Sequence, residues 1–147
     1  MTKQISPKHI ILYADDDEDD RLLLEDSFMP YSSNIEMVCM VNGFEVISYL
    51  ESLHVLDPMP CLVILDINMP LIDGKEALKK IRSMNRFKDV PVILFTTSSQ
   101  EKDKFFAEKH NAGFLTKPID AEQMKMIADT FIEHCTEDVK KDIRRSK

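Results

Sequence analysis

Tryptophan is absent from the 147-residue chain, glycine and cysteine occur three times each, and aromatic residues make up 7%. Three cysteines cannot complete a paired framework, and Cys39 and Cys61 sit in apolar runs where buried thiols are common, which points to a reducing, cytoplasmic compartment. No long hydrophobic run exists at the N-terminus. Ile10 to Ala14 is followed at once by six acids, too short for a signal-peptide core and far too short to span a membrane. Basic residues are outnumbered, 19 against 26 acids, and the resulting charge of −7 argues against a nucleic-acid-binding face. There is no internal repeat and no low-complexity linker. What remains is 44% hydrophobic and 31% charged, the balance of one globular domain long enough to bury a core without disulfides or a structural metal.

Five short apolar runs recur, His9–Ala14, Ile35–Val41, Cys61–Asp66, Pro91–Thr96 and Ala112–Thr116, each followed by a segment with helical spacing. The third and fourth are almost continuously apolar, as expected of strands covered on both faces. Val46, Ile47, Leu50 and Leu53 fit one face of a helix, as do Ala77, Leu78, Ile81 and Met84, and then Met124, Ile127, Ala128, Phe131 and Cys135. The alternation predicts βαβ units, hence a parallel sheet with helices on both faces. Gly43, Gly74 and Gly113 each fall at an element boundary. Ser98 with Glu101, and Asp120 with Gln123, have capping-box spacing at the starts of the fourth and fifth helices. The fourth helix has the weakest apolar face.

In an open parallel sheet the ligand site lies beyond the C-terminal ends of the strands. There the sequence places Asp15 and Asp16 after the first strand, Asp66 after the third, Thr96 at the end of the fourth and Lys117 after the fifth. Clustered carboxylates repel unless a cation joins them, and Mg²⁺ suits a few carboxylate oxygens together with water and a phosphate oxygen. A carboxylate there could serve as a nucleophile, with a hydroxyl and an ammonium stabilising the charge of an incoming phosphoryl group. The constellation suits phosphoryl transfer to an aspartate. Asp17 to Asp20 read as helix-start charges rather than further ligands.

The segments Ile11-Leu12-Tyr13-Ala14-Asp15-Asp16-Asp17, Val63 to Gly74 (VILDINMPLIDG), Pro91 to Thr96 (PVILFT) and Gly113 to Pro118 (GFLTKP) together resemble a response-regulator receiver domain of two-component signalling, from His9 to about Cys135. The resemblance implies a flavodoxin-like, doubly wound (βα)5 α/β fold with a five-stranded sheet of order 2-1-3-4-5. It implies Asp66 as the phosphoacceptor, and a Mg²⁺ ion held by Asp16, Asp66, the backbone carbonyl of Asn68 and, through water, Asp15. Thr96 and Lys117 would contact the phosphoryl group, and the Lys117–Pro118 bond would be cis. Asn68 and Ser98 occupy positions that tune phosphoryl lifetime. Thr96 is a switch residue, and Phe114, without a Tyr hydroxyl, stands either at the aromatic switch position or simply in the core.

The same resemblance implies a signalling phosphoacceptor rather than an enzyme. Its phosphoryl donor would be a sensor histidine kinase or histidine phosphotransfer protein. Its downstream protein would dock at the surface of the fourth helix, fifth strand and fifth helix, which is also a candidate homodimer face. The expected division is an N-terminal extension over 1–8, the receiver over 9–136, and a charged helical extension or tail over 137–147, with no room for an output domain and therefore a stand-alone receiver.

A haloacid-dehalogenase-type phosphohydrolase shares the Asp, Mg²⁺, Ser/Thr and Lys, but carries its nucleophile on the first strand in an Asp-x-Asp pattern and would need a cap domain. A receiver-like scaffold that signals without phosphorylation usually loses one of the five residues retained here. His9, His54, His110 and His134 have no metal-ligand spacing.

Overall fold

The computed structural model describes residues 8–143. Five strands, β1 (His9–Ala14), β2 (Ile35–Met40), β3 (Leu62–Leu65), β4 (Val92–Thr96) and β5 (Gly113–Thr116), form one sheet of order β2-β1-β3-β4-β5 in which every pairing is parallel. Each strand lies within one residue of its expected limits. The helices are α1 (Glu18–Phe28), α2 (Gly43–Ser52), α3 (Gly74–Ser83), α4 (Glu101–Lys109), α5 (Ala121–Lys125), α6 (Ala128–Ile132) and α7 (Glu137–Asp142), with a 3-10 turn at Met29–Tyr31.

Alternation along the strands divides the core into two layers. Leu12, Ala14, Val63, Leu65, Val92 and Leu94 point to one face and are covered by Val46, Ile47 and Leu50 of α2, Ala77, Leu78 and Ile81 of α3, and Ala107 of α4. Ile11, Tyr13, Leu62, Ile64, Ile93 and Phe95 point to the other, under Leu24 and Phe28 of α1, Met124 of α5 and Ala128, Phe131 and Ile132 of α6. Because both faces of β3 and β4 are buried, their residues are apolar at every position except Thr96, which ends β4 at the site edge.

Helix starts are set by side-chain caps. Asp17 accepts from the Asp20 N–H, Asn42 from Glu45 and Asp73 from Glu76, each satisfying a donor that the helix itself leaves free. Asp120 caps α5 through the Glu122 N–H at 2.9 Å rather than through Gln123. The capping box expected at Ser98 and Glu101 does not form. Gln100 is the N-cap of α4 and has no side-chain cap bond, because the Ser98 hydroxyl is directed to Asp103 instead.

The single fifth helix expected from the spacing of Met124, Ile127, Ala128, Phe131 and Cys135 is interrupted at Met126–Ile127. Ser27 of α1 supplies the reason. Its Oγ accepts the Ala128 N–H at 2.8 Å, taking the donor that would otherwise continue the helical ladder, while Met126 and Ile127 close three-residue turns onto Gln123 and Met124. Beyond Cys135 the chain forms α7, capped by Thr136 and tied back by His9 to Asp142 at 3.2 Å. Of the expected N-terminal extension, residues 1–7 lie outside the described part, as do residues 144–147 of the C-terminal segment.

Candidate functional site

Asp15, Asp66, Thr96 and Lys117 all emerge at the C-terminal ends of the strands, and all four are buried. Asp16 is beside them on the surface, and Asn68 is also exposed. Parallel pairing makes this convergence unavoidable. The end of β1 lies next to that of β3 and the end of β3 next to that of β4, so residues that follow each strand share one edge.

The Lys117 ammonium is the hub. It donates to Asp15 Oδ2 at 2.6 Å, Asp20 Oδ2 at 2.8 Å and Asp66 Oδ2 at 3.2 Å, and lies 5.8 Å from the centre of the Phe95 ring. Burial works against this charge, but the bonds to Asp15 and Asp20 outweigh it and hold the Lys117 pKa above its ordinary value. Asp66 is pushed the other way. Burial raises its carboxyl to about 6 and the charge of Asp15 adds to the effect, while Lys117 opposes it. Four carboxylates against one ammonium leave the edge with an excess of negative charge.

One oxygen from each of Asp15, Asp16 and Asp66 can be chosen so that all three lie within 4.8 Å of one another. An all-oxygen, anionic donor set of this size suits a hard divalent cation. Among the described residues no other cluster of His, Cys, Asp and Glu has metal-ligand geometry.

Backbone geometry fixes the loops that carry these groups. The Gly74 N–H bonds to the Ile67 carbonyl at 2.9 Å, and a Cβ on Gly74 would lie 2.2 Å from the Asp66 carbonyl oxygen, so only glycine lets α3 start this close to the loop after β3. The Asn68 N–H faces Asp66 Oδ1 at 3.4 Å, and the Ser98 N–H donates to Thr96 Oγ1 at 3.3 Å. Phe114 is half-buried on β5, next to Leu94 in the register, and packs against the layer under α2 and α3.

Two expectations are corrected. The Lys117–Pro118 bond is trans, since no cis peptide occurs among the described residues. Trans is the lower-energy isomer by about 0.5–1 kcal/mol before proline, and the Lys117 N–H reaches the Thr96 carbonyl at 2.7 Å without isomerisation. Asp20 is not merely a helix-start charge but a direct partner of Lys117. Its helical side chain leans toward the N-terminus of α1 and so over the strand end, a direction the spacing of the acids alone does not reveal.

Three further contacts escaped the sequence reading. Tyr13 reads as a core aromatic, yet its hydroxyl donates to Asp15 Oδ2 at 2.6 Å, and both burial and the Asp15 charge raise its pKa. The Asp17 N–H holds Asp15 Oδ1 at 3.0 Å, and Arg21 Nη1 holds the Asp15 carbonyl at 2.6 Å. For Tyr13 the available signal was alternation. It shares a strand face with Asp15, two residues on.

Comparison with known proteins agrees with the geometry. Residues 11–129 match the response regulator receiver domain. Response regulator Rcp1 of Synechocystis is 29% identical over 120 residues, covering 80% of this chain and 82% of that protein. The sensor histidine kinase CheAY of Helicobacter pylori is 28% identical over 133 residues, 90% of this chain but 16% of the kinase. Among solved structures, the phosphorylated cyanobacterial phytochrome response regulator RcpA superposes with a TM-score of 0.78 at 26% identity over 88% of this chain and 98% of that one. The Mn²⁺-bound form of Rcp1 does so with a TM-score of 0.75 at 26% identity, over the same shares. On a sheet of this order and a match spanning most of its length, the chain belongs to the response regulator receiver domains of two-component signalling.

Proposed function

We propose that Asp66 accepts a phosphoryl group from a phosphohistidine of a sensor kinase or histidine phosphotransfer protein. The observation that carries this reading is the Lys117 ammonium bonded at once to Asp66, Asp15 and Asp20, beside a carboxylate cluster open to solvent at Asp16. A pKa of about 6 leaves Asp66 mostly ionised at neutral pH, and so available as a nucleophile. Its oxygen attacks phosphorus in line. The new O–P bond forms as the N–P bond breaks, and the electron pair of that bond leaves with the imidazole.

Lys117 can turn from Asp66 to a phosphoryl oxygen while keeping Asp15 and Asp20, so the ammonium is never left unpaired. The Thr96 hydroxyl donates to a second phosphoryl oxygen. Asp16, Asp66, the Asn68 carbonyl and, through water, Asp15 are the groups that would hold Mg²⁺. When bound, the ion neutralises the carboxylates and the charge of the incoming phosphoryl group. The Mn²⁺-bound form of Rcp1 and the phosphorylated RcpA lend support to both the metal and the modification.

Thr96 and Phe114 are the switch pair in this reading, and the face of α4, β5 and α5 is the surface a downstream protein or a second copy would read. Ser98 and Asn68 tune the lifetime. The functional unit is residues 9–136.

The deciding experiment is the intact mass after incubation with acetyl phosphate and Mg²⁺, beside Asp66→Asn. One phosphoryl increment, lost with chelation and with the substitution, is expected. A stable increment on Asp66→Asn would overturn the site. Asp16→Asn should weaken Mg²⁺ binding by roughly tenfold or more, as loss of one of few charged ligands implies; unchanged affinity in a calorimetric titration would place the metal elsewhere.

A further inference from the structure

Lys75, Ser98 and Asp103 form a polar cluster next to the site that the transfer reaction does not use. The Asp103 side chain, in the first turn of α4, is only 6% exposed. Its Oδ1 pairs with the Lys75 ammonium, and its Oδ2 accepts the Ser98 hydroxyl proton at 2.8 Å. Lys75 is fixed in turn by its position 5.4 Å from the centre of the Phe106 ring. A buried carboxylate persists only when paired and hydrogen-bonded, and here both oxygens are engaged.

The three residues tie together the two loops that carry the chemistry. Lys75 directly follows Gly74, which abuts the Asp66 carbonyl. Ser98 follows Thr96 by two residues and its N–H rests on Thr96 Oγ1. A serine hydroxyl has one proton to donate. Here it goes to Asp103, while Ser98 Oγ accepts the Gln100 N–H at 3.3 Å.

We infer that Asp103, held by Lys75, is a positioning residue that sequesters the Ser98 hydroxyl and thereby protects a phosphoryl group on Asp66 from hydrolysis. This rests on the phosphoacceptor reading of Asp66. A phosphoryl group gripped by Thr96 lies beside Ser98, and a Ser98 hydroxyl free to rotate would orient water toward phosphorus. In that hydrolysis the water oxygen bonds to phosphorus, the Asp66 O–P bond breaks with its electrons returning to the carboxylate, and inorganic phosphate leaves with one proton released to solvent. Bound to Asp103, the hydroxyl has no proton for that water.

The test is the decay of the phosphorylated mass after acetyl phosphate is removed, with Mg²⁺ present. It is run on the unsubstituted chain, Asp103→Leu, Asp103→Asn, Ser98→Ala and the two double variants. Asp103→Leu keeps the branched shape but removes the acceptor, and should shorten the lifetime roughly fivefold, about 1 kcal/mol at 1.36 kcal/mol per tenfold. Asp103→Asn, whose amide oxygen still accepts, should fall between. Ser98→Ala removes the hydroxyl and sets the reference lifetime of a site without it, and adding Ser98→Ala to either Asp103 variant should restore that reference value.

That restoration separates positioning from simple loosening of α4, which removing a hydroxyl would not repair. If Asp103→Leu does not fold, Asp103→Asn with and without Ser98→Ala carries the same comparison. An unchanged or longer lifetime in the Asp103 variants, or double variants that stay short-lived, would overturn the inference alone. No phosphoryl increment on the unsubstituted chain would overturn the reading of Asp66 and this inference with it.

Discussion

In the proposed reading, Asp66 combines a nucleophile's need for charge with a buried position that penalises charge. Its carboxyl sits at about 6 in the folded chain against an ordinary 3.8. A raised carboxyl pKa means that its contribution to stability is most favourable below pH 3.8 and is lost as pH rises through 6. Asp66→Asn should therefore stabilise the metal-free protein at pH 7, by about 2–6 °C in Tm, with the gain shrinking toward pH 4. Calorimetric scans at both pH values check this, and an Asp66→Asn protein that melts lower at pH 7 would contradict it. Lys117 does not lose its footing in that variant, because Asp15 and Asp20 still pair with it. The convergence of Asp15, Asp16, Asp66, Thr96 and Lys117 on one edge was legible from sequence because each stands at or just beyond a strand end. Tyr13 and Asp20 were not, since what brings them in is side-chain direction rather than position along the chain.

At the scale of elements, the central strands β3 and β4 were legible to within a residue because strands buried on both faces are nearly continuous apolar runs. Helix limits were less so. The break between α5 and α6 depends on one hydroxyl from another helix, Ser27, capturing the Ala128 N–H. Ser27→Ala leaves that buried donor unpaired and should cost about 1–3 kcal/mol in urea unfolding. A variant as stable as the parent would show that the helix simply closes its own ladder there. The start of α4 misled the sequence reading for a similar reason. Ser98 has the right spacing for a cap but a stronger acceptor within reach, the buried Asp103 carboxylate.

At the scale of the molecule, the two ends of the sheet are built differently. The C-terminal edge gathers carboxylates around one ammonium. Elsewhere, arginines hold loops by their backbone carbonyls. Arg82 of α3 donates to the carbonyls of His110, Lys88, Val90 and Asn111, and Arg86 to those of Leu53, His54 and Asp57. A lysine cannot reproduce that planar fork, so Arg82→Lys should lower stability by about 2 kcal/mol without altering phosphorylation of Asp66. Denaturant unfolding and the mass assay read the two effects separately, and loss of phosphorylation in a folded Arg82→Lys protein would tie this end to the site. No helix among the described residues is long and apolar enough to cross a membrane. The sequence by itself determined the alternation of strands and helices, the two-faced burial of the central strands and the residues at the strand ends, because local periodicity and strand termini are written in neighbouring positions. Only the tertiary structure decided that Lys117 bridges three carboxylates, that Asp15 leans on Tyr13, that the last long helix breaks and that Ser98 turns to Asp103. The Lys117 bridges and the Ser27–Ala128 bond join residues far apart in the chain and exist only once the sheet has brought them together, while Tyr13 and Ser98 each choose a near neighbour because packing fixes the direction of their side chains.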